Sequence, residues 1–214
     1  WKSCHSSILT DKYTARLMPS KHNAAGSNVK TTDVFNFNIN KTSPPRRSFI
    51  FTPGLKPDMF PKALASGVDM VCIELEDGIA PKDKVIARDL ALGIFRNNKM
   101  PEDIEVILRI NSIRSAFGLD DIRAVLDTAN PPPALMIPKV NDPEEIIIID
   151  DILTERGHAC RLHPIIETNS GLEKVYEIAK CSDRIETLFF GLIDMAAELK
   201  CKLAWDQLLY ARSR

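Results

Sequence analysis

Three features predict an α/β fold: six short β-branched runs, helical patterns between them, and polar side chains just past the ends of the runs. Together they point to a (β/α)8 TIM barrel of which about six βα units are present. The runs are Ser48–Thr52, Asp69–Leu75, Ile104–Ile110, Ala134–Val140, Leu162–Ile166 and Thr187–Phe190. They are hydrophobic almost throughout, which suits a parallel sheet covered on both faces. A doubly wound dinucleotide-binding sheet would carry GxGxxG after its first strand, but that turn reads Thr52-Pro53-Gly54-Leu55-Lys56. A barrel instead predicts chemically useful residues at the ends of several strands. Glu74, Glu76, Asp77, Arg109, Asn111, Lys139, Glu167 and Asp194 stand at those places.

The helices are marked in turn. Pro81 opens one at a first-turn position, and Ile86, Leu90 and Phe95 recur at helical spacing. Asp142-Pro143-Glu144-Glu145 opens another, and Ser170-Gly171-Leu172-Glu173 reads as a capping box before Val175 and Ile178. Before Arg46 the rhythm is lost. Residues 1–45 are rich in Ser, Asn, Lys and Thr and carry a net charge of +4, against −5 for the remainder. They are expected to be a poorly ordered extension outside the barrel domain of residues 46–214, apart from a short strand at Val34–Ile39. Their basic, acid-poor composition also loosely matches a mitochondrial transit peptide.

Composition narrows the function. Of 214 residues, 44% are hydrophobic and 27% charged, enough for a sizeable core. A formal net charge of −1 argues against nucleic-acid binding by bulk electrostatics, and no apolar stretch is long enough to span a membrane. Five scattered cysteines without a CxxC pair favour buried thiols in a reducing compartment over zinc or a disulfide framework. A cytoplasmic location follows, with the mitochondrial matrix as the alternative.

Glu167 and Asp194 leave successive strands at one rim, and adjacent strands lie about 4.8 Å apart. Two carboxylates completed by water and substrate oxygens form a Mg2+ pattern; loop or capping acids are the alternative. Arg109 ends an aliphatic strand, where its planar fork either binds a substrate carboxylate or pairs with a rim acid such as Glu76. Lys139 could form a Schiff base if desolvated, or serve as a salt-bridge partner. His163 lies within the fifth strand and reads as packed. No GxSxG elbow indicates a hydrolase triad.

These residues resemble a known family. Arg46-Arg47-Ser48-Phe49-Ile50-Phe51-Thr52-Pro53-Gly54 and Leu75-Glu76-Asp77-Gly78-Ile79-Ala80-Pro81-Lys82-Asp83-Lys84 are similar to the opening of citrate lyase β-subunit-like proteins. Those proteins belong to the HpcH/HpaI aldolase and citrate lyase superfamily. The likeness continues through Leu108–Asn111, Ile137–Val140, Ile166-Glu167-Thr168 with Gly171, Phe190-Gly191 with Asp194, and Leu208–Arg214. It implies a barrel binding Mg2+ through Glu167 and Asp194, with Arg109, Glu76 and Asp77 at the catalytic centre. Arg109 and Glu167 would contact substrate, and Arg47, Lys56 and Lys62 would meet the CoA phosphates. The implied activity is C–C cleavage of a hydroxyacyl-CoA thioester, malyl-, citramalyl- or citryl-like. A catalytically silent remnant binding metal, acyl thioester or a partner subunit is the alternative.

Departures from the family pattern are visible as well. Ile193 stands where relatives close to citrate lyase carry Glu, and Val140-Asn141 replaces a usual Val-Glu. Asp77 occupies the place of the aldolase branch's catalytic His, which favours the acyl-thioester branch. The family pattern expects two more strands after Arg214 and a C-terminal acid donated to a neighbouring subunit. The expectation is therefore a C-terminally incomplete barrel, inert alone, from a protein that is a homo-oligomer (trimer or hexamer) when full length.

Overall fold

The structure is a computed structural model that describes residues 45–214. The expectations for residues 1–44, extension and short strand alike, lie outside the described residues. Six strands follow in chain order: β1 (Phe49–Pro53), β2 (Met70–Glu74), β3 (Glu105–Arg109), β4 (Ala134–Ile137), β5 (Arg161–Ile166) and β6 (Phe189–Phe190). All are parallel, and their spatial order is their sequence order, β1 to β6. That order is the signature of successive right-handed crossovers curling one way. The result is a curled half-barrel, the six-unit TIM-barrel architecture expected from the sequence. Helices α1 (Phe60–Leu64), α2 (Lys84–Asn97), α3 (Ala116–Leu126), α4 (Pro143–Glu155), α5 (Asn169–Glu173) and α6 (Val175–Lys180) fill the crossovers, and α7 (Leu192–Glu198) and α8 (Leu209–Ser213) follow β6.

Every residue of β2, β3 and β4 is buried, which is why these runs lack polar alternation. Their two faces do different jobs. Val71, Ile73, Val106, Leu108, Leu135, Ile137 and Leu162 pack under the helices in the larger core. Met70, Cys72, Ile107, Ala134, Met136 and Ile165 point the other way and fill the barrel with Phe49 and Phe189. Phe49 and Phe189, from the first and last strands, approach to 5.5 Å between ring centroids, so the curl brings the two edges of the sheet together inside. Cys72 and Cys160 are free and buried, acting as small hydrophobes.

Two helix expectations shift. Ile86 and Leu90 face solvent, and α2 buries Lys84, Ala87, Arg88, Ala91, Leu92, Ile94 and Phe95 instead. The alanines let the helix approach the sheet closely, and two cations of that buried face find polar partners behind the rim. The capping box at Ser170 is displaced by Thr168, whose hydroxyl accepts from the Gly171 amide at 3.0 Å. A Cβ at Gly171 would lie 2.1 Å from the Val140 carbonyl, so this close approach requires glycine.

Candidate active site at the carboxyl rim

β2 and β3 are paired so that Glu74 faces Arg109. Counting back by two places both on the face that carries Cys72 and Ile107, the barrel interior. Arg109 is thus delivered to the inner rim by strand geometry alone. Its guanidinium donates to Glu74 Oε2 at 3.1 Å and to Asp77 Oδ2 at 3.3 Å, pairs with Glu76, and lies 5.9 Å from the Phe51 ring centre. Burial alone would lower its pKa, but the Glu74 and Glu76 charges raise it instead and keep the guanidinium charged. The ion pair with Glu76 allowed by the sequence is therefore present. Arg109 Nε, however, is buried without a partner among the described residues. A buried donor of this kind is costly unless a ligand oxygen meets it.

The loop carrying Glu76 and Asp77 is fastened from behind. The Glu76 amide donates to Glu74, and Lys84 Nζ donates to the carbonyls of Leu75, at 2.7 Å, and Glu76. Asn111 Nδ2 reaches the same Leu75 carbonyl at 3.0 Å, and Asn111 is itself held by Asp121, which takes Arg88 Nε at 2.6 Å. Sequence reasoning does not single out Lys84, Arg88 and Asp121. The available signal is Lys84 and Arg88 four residues apart on a helix, one turn of one face.

On the front of the loop the two acids are driven apart. Burial first, then the neighbouring Asp77, raises the Glu76 carboxyl. Asp77 is raised by what burial it has, but hydrogen bonds to Glu76 and Lys139 bring it below the ordinary carboxylate range. Lys139, just past β4, reaches both: Nζ pairs with Glu76 and lies 3.0 Å from Asp77 Oδ1. Its pKa is raised by those hydrogen bonds and charges despite partial burial. A Schiff-base lysine must lose its proton, so this environment corrects that option in favour of the ion pair.

Glu167 follows β5 directly, and Asp194 lies in the first turn of α7 after β6. Glu167 is buried and accepts the Lys139 amide at 2.8 Å. Burial pushes its carboxyl up to about 7; the Lys139 amide and Arg109 pull it down, while Asp194 and Glu76 add to the push. A Cβ at Gly191 would sit 2.2 Å from Glu167 Oε2, so the absence of a side chain there makes room for the carboxylate. No group of three or more metal-ligating side chains comes together among the described residues. Two carboxylates needing water and substrate oxygens suit Mg2+, which keeps much of its hydration. Charge agrees. Glu74, Glu76, Asp77, Glu167 and Asp194 face Lys84, Arg109 and Lys139, leaving two negative charges uncompensated when all are ionised.

The other site expectations fall differently. Arg47 precedes β1, at the amino end of the sheet, where it pairs with Asp69 at 3.0 Å. The structure does not bring it to this rim, because a residue before a strand lies a strand's length from the carboxyl end. Lys56 and Lys62 are exposed, in the turn after β1 and on α1. His163 is fully buried and hydrogen-bonds Glu105 at 2.9 Å, a packed histidine.

Residues 47–214 match the model of the HpcH/HpaI aldolase/citrate lyase family. The chain belongs to that family. It is 31% identical over 162 residues to the L-malyl-CoA/beta-methylmalyl-CoA lyase of Cereibacter sphaeroides, covering 72% of this chain and 51% of that one. The citrate lyase subunit beta of Haemophilus influenzae is 28% identical over 176 residues, with 78% and 60% covered. Among solved structures, the citrate lyase beta subunit of Mycobacterium tuberculosis, complexed with oxaloacetate and magnesium, aligns with a TM-score of 0.63 at 27% identity, covering 78% and 72%. The chain spans about half the length of the malyl-CoA lyase relatives it matches.

Proposed function

We propose that the protein is a Mg2+-dependent carbon–carbon lyase that cleaves a hydroxyacyl-CoA thioester of malyl, citramalyl or citryl type. The observation that carries this is the convergence of Arg109, Glu76, Asp77 and Glu167 on one rim, from three strands. The malyl-CoA lyase and citrate lyase names of the relatives, and the magnesium in the citrate lyase beta structure, support the same chemistry. A homo-oligomeric assembly belongs to the same proposal.

In such a cleavage the hydroxyl loses its proton and the bond to the thioester's α-carbon breaks. The electron pair passes to the thioester as an enolate, which takes up a proton. Glu167 and Asp194 would hold Mg2+, which when bound supplies positive charge to oppose the charge developing on the hydroxy acid. Arg109 binds the acid's carboxylate, and its free Nε is the donor left for that oxygen. It also faces the charge on the departing enolate; a single preorganised donor of this kind is worth about 10²–10³ in rate. Glu76 and Asp77 divide the proton handling. Glu76, raised, is the group that can accept a proton, while Asp77 stays anionic and anchors Arg109 and Lys139. Lys56 and Lys62, exposed in the turn after β1 and on α1, would meet the phosphates of CoA.

The test is release of acetyl-CoA and the matching 2-oxo acid from malyl-, citramalyl- and citryl-CoA by the protein in excess Mg2+. Turnover of one of them at about 1 s⁻¹ or faster, a typical enzyme rate, is expected. No release from any of the three, with Mg2+ binding intact, would leave a binding protein rather than a lyase.

A further inference from the structure

The rim has two halves. β2 and β3 supply Glu74, Glu76, Asp77 and Arg109, and the segments after β5 and β6 supply Glu167 and Asp194. Between them stands the end of β4, whose charged contribution is Lys139. Its backbone is unusual: φ is +54°, one of two positive values among the described non-glycine residues. The left-handed region crowds Cβ against the carbonyl, and lysine has no short polar side chain to relieve it. Such a conformation persists only where the surroundings impose it.

Here they do. Asn141 Nδ2 donates to the Lys139 carbonyl at 2.9 Å, and the Thr168 hydroxyl donates to the next carbonyl, that of Val140, at 3.0 Å. What the turn achieves is divergence. The Lys139 N–H is aimed forward at Glu167 Oε1, 2.8 Å away, while its side chain runs back to Glu76 and to Asp77 Oδ1 at 3.0 Å. One residue thus hydrogen-bonds to both halves of the rim, through its backbone on one side and its ammonium on the other.

We propose that Lys139 is a positioning residue that sets the distance between Glu167 and the Glu76–Asp77 pair, and with it the register of the whole site. The proposal deepens the lyase reading and rests on it. Two chemically separate roles in one residue make it testable by substitution. Lys139→Gly adopts the left-handed backbone freely and keeps the N–H, but removes the ammonium. Lys139→Met keeps the stem without the charge, and Lys139→Arg keeps a charge.

Misplacement of reacting groups by about 1 Å can lower rate about 10²-fold. Accordingly, kcat for thioester cleavage should fall about 10²-fold in Lys139→Gly and Lys139→Met, with KM changed less than about threefold, and Lys139→Arg should recover about tenfold of the loss. The backbone half is read without turnover, by hydrogen exchange of the residue-139 amide. That amide should be protected in the wild type and in Lys139→Gly, and should exchange rapidly in Glu167→Ala. Retention of kcat within about threefold in both the Gly and Met variants would overturn the ammonium role. A rapidly exchanging wild-type amide would overturn the backbone role. A wild type inert towards all three thioesters would sink the lyase assignment, and exchange at residue 139 would then decide alone whether the bridge exists.

Discussion

The two ends of the barrel interior are both lined with charge, balanced at one end and unbalanced at the other. At the amino end, Glu105 opens β3 with its side chain fully buried, and it meets Arg46, Arg161 at 3.2 Å and His163 at 2.9 Å. Arg46 and Arg161 also reach Glu186, just before β6. Two arginines answer two glutamates. Burial would raise the Glu105 carboxyl, but hydrogen bonds from His163 and Arg46 bring it down to about 2. At the carboxyl end, five carboxylates outnumber three cations, and Glu167 is pushed up to about 7. The same strands run through both ends: β3 carries Glu105 at one and Arg109 at the other. A charge cluster whose charges balance holds strands together, whereas one left unbalanced is prepared for a ligand.

The largest effect should come from removing the balanced end. Glu105→Gln leaves Arg46 and Arg161 with Glu186 as the one carboxylate they share, and breaking a buried pair in this way costs about 3–5 kcal/mol. For a chain of this length that corresponds to a melting point about 10 °C lower, readable by calorimetry. The same residue sets an acid limb. Because its folded pKa lies below the unfolded value of about 4.3, its stabilisation is complete above that value and is lost as pH falls towards 2. About 3 kcal/mol should disappear across that window, and Glu105→Gln should flatten the limb. A variant that melts normally but no longer cleaves thioester would break the contrast between the two ends.

Next in size is Arg109→Lys at the unbalanced end. Lysine keeps the charge but cannot serve Glu74, Glu76 and Asp77 as a fork. Turnover should fall about 10²-fold, while the melting point moves by no more than about 4 °C. Steady-state kinetics beside a thermal melt would check this, and a large loss of stability with activity intact would make Arg109 a structural pair like Arg46. The smallest effect belongs to Gly191→Ala. The new methyl would lie 2.2 Å from Glu167 Oε2 and 2.5 Å from Glu167 Cβ, so Glu167 must shift. Mg2+ affinity, read by titration calorimetry, should weaken about tenfold, with a loss of stability below that of Glu105→Gln, about 1–3 kcal/mol for an overpacked methyl. Unchanged affinity would remove Glu167 from the metal assignment.

Much of the rim is legible in the sequence because strand ends are marked by composition. A continuous apolar run that stops at Glu, Arg-x-Asn or Lys announces where the barrel opens, and Glu76, Asp77, Arg109, Lys139 and Glu167 are found that way. Glu74 is placed at the rim but without its partner, since only register shows that it faces Arg109. The fastening behind the loop is not legible. Lys84, Arg88 and Asp121 sit on helix faces that read as solvated charge, and only packing shows them buried at 8% exposure or less. Arg47, assigned to CoA by resemblance, precedes β1 and so lies at the amino end, where it pairs with Asp69.

The sequence by itself determined the alternation of strand and helix, the parallel order and the type of residue at each strand end. Local hydrophobic pattern and turn chemistry act over a few residues, and those features are local. Tertiary structure decided which charges meet. Curling six strands in order makes neighbours of Glu76 and Lys139, 63 residues apart in the chain. At the other end it joins Arg46 to Glu186 across 140 residues. Whether a buried charge is answered or left open depends on such distant partners, because Coulomb attraction in a low-dielectric interior is set by a few ångströms of separation and not by position along the chain.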